Sequence, residues 1–77
     1  TKNQVGDIVN SMKITFKRNV DCDYYDRRLD ETYPKYFSRW TEVQADGVEN
    51  DGRLVHIATT DGNTIMSVPR NAVEITS

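Results

Sequence analysis

The sequence has a single cysteine, Cys22, and a single histidine, His56. One thiol allows no internal disulfide, which favours a reducing compartment. A Cys–His nucleophilic pair would need both residues together with a third group that orients the imidazole, and nothing in their spacing indicates one. No grouping of histidines and cysteines is suited to zinc. We therefore predict a protein that is not an enzyme and uses no cofactor.

Long hydrophobic runs are also missing, since no stretch approaches the roughly 18 apolar residues of a membrane span. The chain does not open on a basic start followed by an apolar segment, as a secretory leader would. We therefore predict a cytoplasmic protein without membrane contact. Thr1 is the kind of residue expected after removal of an initiator Met, which fits a whole small protein. An excised domain is the alternative interpretation.

Length limits what the chain can do, because 77 residues form one domain, 1–77. A domain of this size buries only about 60–65% of its unfolded surface, so its core is thin and leaves little room for an enclosed active site. There is no glycine-rich phosphate loop. The aspartates fall in turn-like positions, which does not favour a catalytic carboxylate pair.

Three Asp-Gly dipeptides punctuate the second half of the chain, and Asp-Gly is a strong turn signal because both residues tolerate positive φ. Between two of them, the segment Arg53–Thr60 alternates, with Val55, Ile57 and Thr59 on one face. Another strand-like segment, Thr64–Val68, follows Asp61-Gly62-Asn63. The pattern predicts a tight hairpin.

Three further strands and one turn are indicated. In the segment 12–17, the apolar residues Met12, Ile14 and Phe16 alternate with polar ones that end at Lys17, as in a half-buried strand with a basic outer face. A second strand is predicted over Tyr36–Val43, with Trp40 at its centre. Pro69 ends the strand of the hairpin, the segment 70–72 allows one short helical turn, and Val73, Ile75 and their neighbours form a last short strand.

The segment 19–34 carries five acidic residues and only two basic ones. It does not match a calcium-binding EF-hand loop counted from Asp21, because position 5 is Tyr25, position 6 is Asp26 and position 12 is Thr32. A solvated loop that its two arginines partly neutralise explains the charges. Either a polar loop or a short helix fits the pattern.

The run Val68-Pro69-Arg70-Asn71-Ala72-Val73 resembles the end of an SH3 domain, where an aliphatic-Pro-x-Asn-Tyr-Val motif leads through a 3₁₀ turn into the last strand. The resemblance implies a mostly β fold, a five-stranded SH3-like barrel or half-barrel, with a long loop at 19–35 that has room for a short helix. The segments 21–33 and 44–52 would replace that family's RT and n-Src loops. Ala72 replaces the tyrosine that lines the family's proline-peptide groove, so the resemblance bears on fold more than on ligand.

Tyrosines and arginines concentrate in the segment 24–36, which holds more aromatic surface than so small a core can bury. Tyrosine, tryptophan and arginine together are typical of protein interfaces. We therefore predict a protein-binding module or a small regulator or inhibitor, such as a phage, plasmid or bacterial accessory protein. A second copy could also pair through an exposed sheet edge. The predicted partner-binding residues are Tyr24, Tyr25, Arg27, Arg28, Tyr33 and Tyr36.

A nucleic-acid-binding small barrel is the alternative. The first 18 residues have a net charge of about +3, and single-stranded nucleic acid is bound by cations next to aromatic rings. The predicted contacts are Lys13, Lys17 and Arg18, with the nearby aromatics. The overall net charge of −2 weighs against this alternative.

Overall fold

A computed structural model of the chain describes residues 11–76. These residues form a mostly β fold with seven strands and one 3₁₀ turn. The strands are β1 (Met12–Phe16), β2 (Val20–Asp26), β3 (Glu31–Phe37), β4 (Glu42–Asp51), β5 (Leu54–Thr59), β6 (Thr64–Pro69) and β7 (Val73–Thr76), and the 3₁₀ turn is Arg70–Ala72.

The strands form one antiparallel sheet in the order β3-β2-β6-β5-β4-β1-β7. Among the described residues, no ladder joins the end strands β3 and β7, so the sheet is open. It is nevertheless strongly curled, because the ring of Phe16 on β1 stacks on the ring of Phe37 on β3, with centroids 4.7 Å apart. The curl brings β3 and the start of β4 close together, and that approach positions the site described below.

The core lies on the concave face of the curled sheet. Ile14, Phe16, Val55, Ile57 and Ile65 are fully buried there. Their positions follow from strand alternation, since every second side chain of β1 and β5 points to this face. The prediction that Val55, Ile57 and Thr59 share one face of a strand is confirmed, since all three are buried, and burial of the apolar side chains is the main stabilising contribution.

The predicted hairpin near the C-terminal end is confirmed as β5 and β6. Its turn is closed by Thr59 N–H, which donates to Asn63 O at 2.8 Å, and by Gly62 N–H, which donates to Thr59 O at 3.1 Å. Gly62 has φ +94°, a value that residues with a side chain rarely adopt. The predicted helical turn at 70–72 and the final strand are also present.

The long loop predicted at 19–35 is wrong, because this segment is the antiparallel hairpin of β2 and β3. These two strands raise the count to seven rather than five. Their register places Tyr24 opposite Tyr33, and such aromatic cross-strand pairs stabilise a sheet. Asp26 holds the turn, since its carboxylate accepts the N–H groups of Arg28 and Leu29 at 3.0 and 3.4 Å.

Two other expectations are corrected. The strand predicted over Tyr36–Val43 is interrupted after Phe37, and Trp40 lies in the turn 38–41 with φ +73° and an exposed fraction of 61%. The segment 44–52, expected to be a loop, is mostly strand β4, which has a bulge between Ala45 and Gly47. Within residues 11–76, no helix is long and apolar enough to cross a membrane.

Candidate functional site

The six predicted partner-binding residues are divided between the two faces of the β2–β3 hairpin and its turn. Tyr24 and Tyr33 are directly opposite one another on the concave face. Tyr25 pairs with Thr32 and Tyr36 pairs with Asp21, which places both tyrosines on the other face, where Tyr36 is 54% exposed. Arg27 and Arg28 are exposed in the turn itself. The six residues therefore do not form one continuous surface.

The concave face of the hairpin carries a row of three aromatic rings. The Tyr24 ring centroid lies 5.6 Å from that of Tyr33 and 6.4 Å from that of Phe37, both at tilted angles. The Lys35 ammonium lies 4.8 Å from the centroid of the Tyr24 ring, a cation–π contact. Phe37 is buried, whereas Tyr24 and Tyr33 are only partly buried, so the row runs from the core to solvent.

An open groove of about 380 Å³ lies beside this row, where the hairpin pairs with β6 and the curl of the sheet brings it towards β4. Tyr24, Phe37, Val43 and Ile65 provide its apolar surface. Its polar lining includes Lys35 and Asp61, which carry opposite charges. We call this cavity the aromatic groove. An apolar surface with a few charged groups at its border is typical of ligand sites.

The Asn63 side chain forms two hydrogen bonds with the β2–β3 hairpin. Its Nδ2 donates to the Tyr24 hydroxyl at 2.6 Å, and its Oδ1 accepts the backbone N–H of Arg27 at 2.9 Å. One side chain in the β5–β6 turn thereby fixes both the aromatic groove and the start of the β2–β3 turn. Sequence reasoning did not select Asn63, because an Asn after Asp-Gly is explained by turn formation alone.

The tyrosine hydroxyls near the β2–β3 turn interact with its carboxylates. Tyr33 donates to Asp26 at 3.3 Å, and Tyr25 donates to Asp30 at 2.6 Å. Partial burial and then the Asp26 charge raise the pKa of Tyr33. The hydrogen bond to Asp30 and then partial burial raise the pKa of Tyr25. Both phenols therefore stay protonated, and able to donate, to a more alkaline pH than an ordinary tyrosine.

Cys22 and His56 have separate partners. The Cys22 thiol is buried and lies 3.6 Å from the backbone O of Lys35. Burial, followed by the charges of Asp23 and Asp21, raises its pKa to about 11, so it is a poor nucleophile at neutral pH. His56 contacts Asp51 through Nε2 at 3.3 Å, and its Nδ1 accepts the backbone N–H of Ser67 at 3.2 Å.

The residues of the nucleic-acid alternative are also separated. Lys13 pairs with Glu42 on β4 at 3.7 Å. Lys17 and Arg18 are exposed in the turn after β1, where Arg18 Nη2 donates to Asn71 Oδ1 at 2.8 Å. Only Lys17 and Arg18 of this set therefore share one region of the surface.

In the described part of the chain, no three side chains of His, Cys, Asp or Glu are grouped so as to hold a metal ion. Comparison with known proteins finds no family model, no curated protein and no solved structure that matches the chain.

Proposed function

We propose that this chain is a non-catalytic protein-binding module built on an SH3-like barrel or half-barrel, and that a partner docks in the aromatic groove. The observation that carries the proposal is the row of Tyr33, Tyr24 and Phe37, which leads from solvent to the core beside an open apolar cavity. Rings that keep exposed surface in such a small domain are suited to a partner's side chains.

The SH3-like part of the proposal is supported by the order of elements along the chain. A hairpin follows the first strand, a long bulged strand follows the hairpin, and a 3₁₀ turn separates the last two strands. Ala72 is buried in that turn, where the family's motif has a groove-lining tyrosine. We therefore propose docking beside Tyr24 rather than at a proline-peptide groove.

The charges at the groove suggest the chemistry of the partner. Lys35 lies directly over the Tyr24 ring, where a carboxylate on the partner would pair with it beside the apolar surface. We propose an extended peptide segment that carries a large apolar side chain next to an acidic residue. The apolar side chain supplies most of the affinity, and the ion pair contributes to orientation and association rate.

Strand addition at a sheet edge is a less suitable mode of docking. The edge strand β3 contains Pro34, which has no N–H group to donate to a partner strand. The other edge strand, β7, has only four residues. Both features are typical of edges that resist pairing. Side chains rather than backbone groups therefore provide the proposed contacts.

Selection from a displayed peptide library tests the proposal, with two tyrosine variants as a matched pair. Selected peptides should bind Tyr24→Ala at least about tenfold more weakly, a loss of about 1.4 kcal/mol, and should bind Tyr36→Ala unchanged. Tyr36 is the control because it is exposed on the opposite face of the same hairpin. Lys35→Glu should reverse the preference for acidic peptides.

The proposal is wrong if no peptide is enriched, or if Tyr36→Ala weakens binding as much as Tyr24→Ala does. Circular dichroism of each variant separates loss of binding from loss of folding. Lys35 is exposed, so the charge reversal tests the groove without changing the core.

A further inference from the structure

Four connecting segments meet along one rim of the curled sheet. The turn 17–19 is joined to the turn 38–41 by Arg39 N–H, which donates to Asn19 Oδ1 at 2.7 Å. It is joined to the 3₁₀ turn by Lys17 N–H, which donates to Ala72 O at 2.7 Å. Arg70 N–H donates to Arg53 O at 2.8 Å and adds the β4–β5 turn. Residues distant in sequence are thus fixed side by side.

This rim carries a concentration of positive charge. Each of the four segments contributes at least one cation, and together they hold five of the nine lysines and arginines in the described residues. We call this set the basic rim. It consists of Lys17, Arg18, Arg39, Arg53 and Arg70.

The cations of the basic rim have no carboxylate partner among the described residues. Lys13 forms an ion pair with Glu42, and His56 lies 3.3 Å from Asp51; neither contact includes a residue of the rim. Glu42 and Asp51, which lie close to residues of the rim in sequence, therefore contact Lys13 and His56 instead of the rim. Arg18, Arg53 and Arg70 also line one cavity of about 490 Å³, which contains no acidic residue. Such a cluster in a chain of net charge −2 leaves the remaining surface strongly acidic.

The single tryptophan lies at one end of the same rim. Trp40 is 61% exposed, and its backbone N–H donates to Phe16 O at 2.6 Å. The guanidinium of Arg39 lies 4.8 Å from its ring centroid. Its φ of +73° is unfavourable for a bulky residue, and such strain is concentrated at functional sites. A large ring is therefore presented to solvent next to a row of cations.

We propose that the basic rim and Trp40 bind single-stranded nucleic acid, with phosphates on the arginines and a base stacked on the indole. Arginine suits this role because its planar guanidinium forms paired hydrogen bonds with phosphate oxygens. An exposed aromatic ring accepts an unpaired base whatever its identity. The site is separate from the aromatic groove and does not depend on the proposed protein-binding function.

A single strand fits these observations better than duplex DNA or an acidic protein. A duplex hides the faces of its bases, so it would leave the Trp40 ring without a stacking partner. An acidic protein would pair with the arginines but would need more apolar contact at the centre of its interface than this rim offers. The combination of flat ring and unpaired cations therefore selects an unpaired nucleotide strand.

Intrinsic fluorescence gives a direct test, because Trp40 is the only tryptophan in the chain. An oligothymidylate of about ten nucleotides should quench it to saturation at low salt. If about four phosphates are contacted, the slope of log K against log salt is about −3, so affinity falls about 50-fold between 50 and 200 mM salt. Arg53→Ala should lower the magnitude of the slope by about 0.7.

Two controls decide between this proposal and its competitors. Arg28→Ala makes the same change in charge in the β2–β3 turn, at the far end of a seven-residue strand and about 20 Å away, and should leave the slope unchanged. An abasic oligonucleotide of equal length should bind at least about tenfold more weakly, as expected for the loss of one stacked base. Absence of quenching, equal binding of the abasic strand, or an equal effect of Arg28→Ala would each overturn the proposal.

Discussion

The link between Asn63 and Tyr24 leads to a quantitative prediction about how the aromatic groove is held in place. Asn63→Ala removes two hydrogen bonds, one to the Tyr24 hydroxyl and one from Arg27 N–H. At about 0.5–1.5 kcal/mol for each bond, the free energy of unfolding should fall by about 1–3 kcal/mol. Tyr24→Phe removes only the shared bond and should cost about 0.5–1.5 kcal/mol.

The double variant, Asn63→Ala with Tyr24→Phe, isolates the contribution of the hydrogen bond between these two side chains. Once Asn63 is alanine, the further change Tyr24→Phe has no bond left to remove, so the two costs should not add. The coupling energy should be about 0.5–1.5 kcal/mol. Urea denaturation followed by circular dichroism measures it, and the slope of unfolding free energy against urea should stay constant.

Tyr25→Phe is the control for this cycle. The Tyr25 hydroxyl donates to Asp30 and shares no hydrogen bond with the Asn63 side chain, so its cost and that of Asn63→Ala should add within about 0.5 kcal/mol. Additive costs for Tyr24→Phe and Asn63→Ala would refute the reasoning, because they would mean that the hydrogen bond between the two side chains does not contribute to stability.

Three further predictions concern stability. Gly62→Ala should lower the free energy of unfolding by about 1 kcal/mol or more because φ is +94°, whereas Gly47→Ala, with open space around it, should change it by less than about 0.5 kcal/mol. Phe37→Ala should cost about 3–5 kcal/mol because the ring is buried on Phe16, and Tyr36→Ala should be nearly neutral; equal costs would contradict the assignment of faces. Stability should decline as pH rises from 9 towards 11, since folding raises the pKa of the Cys22 thiol from 9.0 to about 11, and Cys22→Ala should make this decline less steep. Urea titrations at several pH values would measure the last effect, and an unchanged decline would exclude the thiol as a cause.

The later hairpin could be predicted because its signals are local. Arg53–Thr60 alternates cleanly, and Asp61-Gly62 supplies a residue suited to positive φ. The β2–β3 hairpin has no such signal. Its turn places Asp30 rather than a glycine at positive φ, and its outer face is occupied by aspartates and tyrosines. The polar composition therefore indicated a loop, although cross-strand pairing and Asp26 stabilise a hairpin.

The site was predicted only in part, because it depends on contacts between distant residues. The tyrosines were recognised as surplus to the core, but strand alternation sends Tyr24 and Tyr25 to opposite faces, and this could not be seen without identifying the strand. The groove also needs Ile65, which the β2–β6 ladder places opposite Tyr24, and Val43, which the curl of the sheet brings near. Trp40 was expected in a strand, and its exposure follows from the conformation of one turn.

The central claim is that a partner docks in the aromatic groove. Backbone amide chemical shifts of the isotope-labelled protein, recorded while a selected peptide is added, test it most directly. The largest changes should cluster at Tyr24, Lys35, Phe37, Val43 and Ile65. Changes centred instead on the opposite face of the hairpin, around Tyr25 and Tyr36, would contradict the account.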